Sequence, residues 1–109
     1  MNEHPIDQLY ATIVARKNAR TSKSYTAQLL HRGVAQCAKK LGEEGVEAAL
    51  AAVSGKKKDI VAESADVLYH LLVIWAATGV KPKAVYDVLE ARRAQSGLAE
   101  KRSRKRGGR

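Results

Sequence analysis

Residues Val34–Thr78 read VAQCAKKLGEEGVEAALAAVSGKKKDIVAESADVLYHLLVIWAAT, and this stretch decides the fold. Up to about Ser54, apolar residues recur at helical spacing. Val34, Ala38, Leu41, Gly45, Ala48 and Ala52 form a stripe of small side chains, widened by Val46, Ala49, Leu50 and Val53. Gly55, Lys56 and Lys57 make a turn, and a further helix continues to about Thr78, where Gly79 supplies a C-cap. Ile60, Val61, Leu68, Leu71, Leu72, Ile74 and Trp75 cover most of that helix's circumference, the pattern of a central, buried element. Gly42 and Gly45 each cost a helix interior about 1 kcal/mol relative to Ala. Their presence predicts close packing against another backbone or a ligand.

The acids of this stretch carry its chemistry. Six of the chain's eleven carboxylates fall between Glu43 and Asp66: Glu43, Glu44, Glu47, Asp59, Glu63 and Asp66. Glu44 and Glu47 share a face of the first helix, and Glu63 and Asp66 share a face of the second, because residues three apart are neighbours on a helix. In an antiparallel hairpin turning at Lys56, the first pair lies about 14 to 18 Å from the turn and the second about 10 to 15 Å. The pairs come nearly level across one groove, with Glu43 beside them. Clustered carboxylates in a low-dielectric groove must protonate or meet cations. Mg²⁺ is the natural partner, a hard ion that takes carboxylate oxygens and leaves positions for water and phosphate. The competing reading is a solvated acidic face paired with Lys39, Lys40 or Lys58. The acids at Glu63 and Asp66 interrupt the most apolar helix, however, where a carboxylate needs a reason.

Outward from the hairpin, the rest also reads as helix. Pro5 opens a first helix in which Ile6, Leu9, Tyr10, Ile13 and Val14 repeat up to about Arg16. The polar stretch Lys17–Ser24 is a loop, and Ser24 caps a short segment, YTAQLLHR, ended by Gly33. Pro82 lies near the start of a last helix carrying Val85, Val88 and Leu89. No segment alternates like a half-buried strand. The fold class is all-α, a helical bundle in one domain over residues 1–98. A core this thin, in a chain of 109 residues, favours completion by a second copy.

Composition narrows the setting. The hydrophobic share of 45% is too high for a disordered chain, and no apolar run reaches the roughly 20 residues of a bilayer span. A single cysteine, Cys37, excludes an internal disulfide and a cysteine-rich metal site. The N-terminus lacks a secretory pattern. A soluble protein of the cytoplasm is expected. Of the net charge of +9, residues 99–109 (AEKRSRKRGGR) carry +5, six basic groups against one acid. This tail is expected to be disordered, either simply solvated or in weak contact with a polyanion.

The stretches Lys40-Leu-Gly-Glu-Glu-Gly-Val-Glu47 and Glu63-Ser-Ala-Asp-Val-Leu-Tyr-His70 resemble those of the phosphoribosyl-ATP pyrophosphohydrolases of histidine biosynthesis. Ser24-Tyr-Thr-Ala-Gln-Leu-Leu30 is similar to a second segment of that family, and the resemblance runs from about Ile6 to Arg93. The acidic signature alone marks the wider all-α nucleoside triphosphate pyrophosphatase superfamily. It is SYTAQLL and ADVLYHLL together that narrow it. The resemblance implies Mg²⁺-dependent hydrolysis of phosphoribosyl-ATP to phosphoribosyl-AMP and pyrophosphate, in a homodimer. Carried onto this chain, it makes Glu44, Glu47, Glu63 and Asp66 the metal ligands. Glu43 becomes a further ligand, a supporting group or the group that orients water.

A small nucleotide substrate calls for basic and polar groups around the metal. Candidates are Arg16, Lys23, Lys40 and Arg93, with backbone N–H groups near Ser24 as a further anion contact. Tyr25 is either packing or a ligand contact. His70, four residues after Asp66, orients a carboxylate, touches phosphate or packs as a satisfied ring. The nearest rival activity is a MazG-like pyrophosphatase acting on ordinary nucleoside triphosphates through the same carboxylates. A non-enzymatic nucleic-acid-binding module and a purely structural dimeric bundle are the alternatives of other classes, and neither accounts for acids on the central helix.

Overall fold

A computed structural model describes residues 4–95. The expectations for the basic tail at 99–109 lie outside the described residues. Five α-helices follow one another: α1 (Pro5–Ala15), α2 (Tyr25–Arg32), α3 (Val34–Ser54), α4 (Lys57–Thr78) and α5 (Pro82–Arg93). A 3₁₀ turn over Arg16–Asn18 extends α1, and the described residues contain no strand. The first two residues of the expected loop therefore belong to that turn. The Lys17 ammonium donates to the Ala76 carbonyl at 3.2 Å, which ties the turn to the far end of α4.

The helix ends follow from local chemistry. At α1 the His4 ring accepts from the Ile6 N–H at 3.1 Å, and Pro5 fills a position whose missing N–H costs nothing. At α2 the Ser24 hydroxyl accepts from the Ala27 N–H at 3.1 Å. Gly33 (φ 96°) makes the sharp bend between α2 and α3, and Gly79 (φ 80°) ends α4 in the left-handed conformation open to glycine.

Helices α3 and α4 pack as a hairpin, and α1 and α2 pack on the C-terminal half of α4. The core is Ile13, Leu29, Cys37, Leu72, Val73, Trp75 and Ala76, flanked by half-buried Leu9, Tyr10, Leu71 and Ile74. The Cys37 thiol donates to the Leu29 carbonyl at 3.3 Å, and burial raises its pKa. By length and composition alone α4 would cross a membrane, but its C-terminal half is packed among α1, α2 and α3.

Two expectations are corrected. The covered face of α3 runs through Cys37, Leu41, Glu44, Ala48 and Ala51; Leu41 and Ala48 of the expected stripe lie on it, whereas Val34, Ala38, Gly45 and Ala52 are exposed. A Cβ added at Gly42 or Gly45 would meet nothing within 4 Å, so these glycines make no close approach within the chain. The buried part of α4 is also confined to one half. Val61 is 69% exposed and Leu68 42%, against 0% for Leu72 and Val73. The reason is the same in both cases. Helices α1 and α2 reach only the C-terminal half of α4, so the outer part of the hairpin is a two-helix layer with one open side.

Candidate functional site

The hairpin brings Glu44 of the first pair level with Glu63 and Asp66 of the second. Carboxylate oxygens of Glu44, Glu63 and Asp66 lie within 4.8 Å of one another. Glu44 and Glu63 are half-buried and Asp66 is exposed. The Glu63 Oε1 atom is buried with no hydrogen-bond partner. Burial raises the Glu63 pKa most, and the charges of Asp66, Glu44, Glu47 and Asp59 push it further. A buried carboxylate oxygen with no donor, beside two more carboxylates, is an arrangement that a hard cation satisfies. The donor set therefore fits Mg²⁺.

Glu47 stands outside the close trio, near enough for its charge to act on Glu63. Glu43 is engaged elsewhere, since the Lys40 ammonium lies 3.2 Å from its carboxylate. That hydrogen bond is the chief reason the Lys40 pKa is raised, with Tyr25 and Glu44 adding to it. Lys40 is thus a half-buried cation at the rim of the acidic groove.

One turn along α4, His70 is buried and its Nδ1 has no partner. Burial lowers its pKa, against the pull of Glu44, Asp66 and Glu43, and Lys40 lowers it further. The His70 ring meets Tyr69 edge-on at 4.9 Å and Tyr25 edge-on at 6.4 Å. Tyr25 and Tyr69 face each other at 6.4 Å with 21° between their planes. The hydroxyls of Tyr69 and Thr26 are 2.5 Å apart, a bond that holds the start of α2 on α4. Tyr69 is also raised by its burial and lowered by Arg16, which places Arg16 in electrostatic reach of this aromatic cluster.

The remaining candidates are not gathered here. The Ser24 hydroxyl is occupied with its helix cap, and Lys23 is exposed in the preceding turn. Arg93 clamps Glu90 through two bonds of 2.8 Å on α5, and it lines a groove between α1 and α5 with His4, Asp7 and Tyr86. Within one chain it is not brought to the acids. The sequence places Thr26 beside Tyr25 at the start of α2 and reads Tyr69, like Tyr25, as packing or ligand contact, without naming either Thr26 or Tyr69 as a site residue. Tyr69 follows Asp66 by three positions, the same spacing that paired the acids, and that signal was available.

A family model described as phosphoribosyl-ATP pyrophosphohydrolase matches residues 6–93. A protein of Azospirillum brasilense named phosphoribosyl-ATP pyrophosphatase is 53% identical over 100 residues, covering 92% of this chain and 90% of its own. A protein of the same name from Parvibaculum lavamentivorans is 54% identical over 99 residues, covering 91% of each. A third so named, from Methylobacterium radiotolerans, is 50% identical over 105 residues, covering 96% of this chain and 98% of its own.

Proposed function

Because this chain belongs to the phosphoribosyl-ATP pyrophosphohydrolase family, we propose that its acidic groove is where phosphoribosyl-ATP is hydrolysed to phosphoribosyl-AMP and pyrophosphate. The chain is a hydrolase of histidine biosynthesis, and its setting is the cytoplasm. The observation that carries the assignment of the site is the meeting of Glu44, Glu63 and Asp66, with a buried Glu63 oxygen left unpaired.

Glu44, Glu63 and Asp66 would hold Mg²⁺, with Glu47 completing the set. When bound, the ion supplies positive charge to the polyphosphate oxygens and a more acidic water at neutral pH. The protein's own residues do the rest. Glu43 and Lys40 restrain each other at the rim, so Lys40 is held where a departing pyrophosphate gathers charge. Arg16 adds positive potential from the aromatic side, and the first turn of α2 after Ser24 offers free N–H groups to an anion. His70, its pKa lowered by burial, packs against the Tyr69 and Tyr25 rings and holds them in place. Lys23 and Arg93 would approach the nucleotide only through loop movement or from a second copy.

The exposed apolar side of the hairpin supports a homodimer. Val46, Leu50, Val53, Val61 and Leu68 are all more than two-fifths exposed, and Gly42 and Gly45 on the same hairpin meet no neighbour. Such a surface is costly to leave wet.

The test is pyrophosphate release from phosphoribosyl-ATP with and without Mg²⁺. Wild type is expected to turn over only with the metal, and Glu63→Gln to lose about 10²- to 10³-fold, the usual cost of removing one charge-stabilising group. Faster turnover of deoxynucleoside triphosphates than of phosphoribosyl-ATP would move the protein to the MazG-like activity.

A further inference from the structure

We propose that Tyr25 is the platform on which the base of the nucleotide stacks, and thereby a specificity-determining residue; this rests on the reaction proposed above. Tyr25 opens α2 and is 51% exposed although three elements converge on it. Its ring faces Tyr69 and stands edge-on to His70, while Lys40 is close enough to feel its charge. A large aromatic left half-wet in such a cluster has surface to offer a flat ligand.

Its position relative to the acids is what assigns the role. His70 lies four residues after Asp66, about 6 Å further along the α4 axis. Tyr25 packs edge-on against His70 and lies within electrostatic reach of Lys40, one helical turn before Glu44. Phosphates gathered at Glu44, Glu63 and Asp66 would therefore send the sugar past His70 and the base toward Tyr25. The buried, unpartnered Nδ1 of His70 sits along that path and is a polar atom for which the chain itself supplies no partner. Thr26 and Tyr69 hold the platform in place, because their hydroxyl bond fixes the residue next to Tyr25 against α4. Tyr69, the other ring packed on His70, is less exposed than Tyr25 and has its hydroxyl engaged by Thr26.

Stacking contacts are sequence-tolerant, need only a π-face and are lost when the ring is removed. The experiment compares wild type, Tyr25→Phe and Tyr25→Leu in two measurements: steady-state turnover of phosphoribosyl-ATP with Mg²⁺, and calorimetric titration with AMP and, separately, with pyrophosphate. Tyr25→Leu is expected to raise KM about tenfold or more with kcat within about threefold, and to weaken AMP while leaving pyrophosphate binding unchanged. Tyr25→Phe is expected to restore KM and AMP affinity to within about twofold. Circular dichroism of each variant controls for folding.

Equal weakening of AMP and pyrophosphate would overturn the proposal in favour of a phosphate or structural contact. So would a Phe variant as impaired as the Leu variant, or an unchanged KM in both. If wild type fails to turn over phosphoribosyl-ATP, the proposed reaction falls, and the contrast between AMP and pyrophosphate then decides Tyr25 alone.

Discussion

The two halves of α4 belong to one continuous helix, the N-terminal half charged and the C-terminal half almost wholly apolar, and they meet opposite fates. From Tyr69 to Thr78 the helix runs through the core: Leu72 and Val73 are fully buried, and even His70 is covered. From Lys57 to Leu68 the apolar side chains Val61 and Leu68 stay in solvent, while an acid, Glu63, has a buried oxygen. The first half is what a stable chain does with a helix. The second departs from that pattern, with apolar groups outside and an unpartnered carboxylate oxygen inside, an arrangement costly in an isolated chain. The function proposed above assigns one side to a cation and the other to a second copy of the chain.

The contrast can be broken most directly by truncating an equivalent residue in each half. Leu72→Ala is expected to cost about 2 to 5 kcal/mol in chemical denaturation, since a fully enclosed leucine leaves a cavity. Leu68→Ala is expected to cost less than about 1 kcal/mol at concentrations low enough to populate monomer. Equal losses in dilute solution would mean that the outer half is already covered within one chain.

A charge placed on the open side sharpens the picture next. Wild type should sediment at twice the 11.9 kDa of the chain, and Leu50→Lys should sediment at the single-chain mass. A mass unaffected by this change would put the subunit contact elsewhere.

The smallest effect concerns the acid. Folding raises the Glu63 pKa above its ordinary 4.5, so between those values the folded state holds the extra proton. Stability of the metal-free protein should therefore fall as pH rises through that window, and the strain should be absent below it. Glu63→Gln is expected to melt a few degrees higher than wild type at pH 7 without metal, with the difference vanishing below about pH 4.5. Added Mg²⁺ should raise the melting temperature of wild type more than that of Glu63→Gln. A variant that melts lower at pH 7 would mean Glu63 is paired rather than strained.

Much of this was legible in the sequence because it depends on short-range rules. Ser24 and Gly33 bound α2, Gly55 and Gly79 bound α4, and fixed helical rise brought Glu44 level with Glu63 and Asp66. What could not be read depends on which elements stop short. Nothing in the spacing of Val61 or Leu68 says that α1 and α2 end their coverage near Tyr69. Nor does the period of α3 choose between the face through Leu41 and Ala48 and the one through Gly45 and Ala52, since both are apolar. Arg93 was a reasonable basic candidate by composition, but its neighbour Glu90, three residues back, already claims it.

The lone thiol offers a way to watch the fold breathe. Cys37 is 1% exposed, enclosed in the core where α3 meets α2 and α4, and its thiol donates to the Leu29 carbonyl. A thiol reagent therefore has to wait for α2 to lift away, and its slow reaction counts those openings in the otherwise native molecule. Since Tyr25 travels with α2, protection of this sulfur by added nucleotide would report, without any mutation, that the ligand pins the helix down.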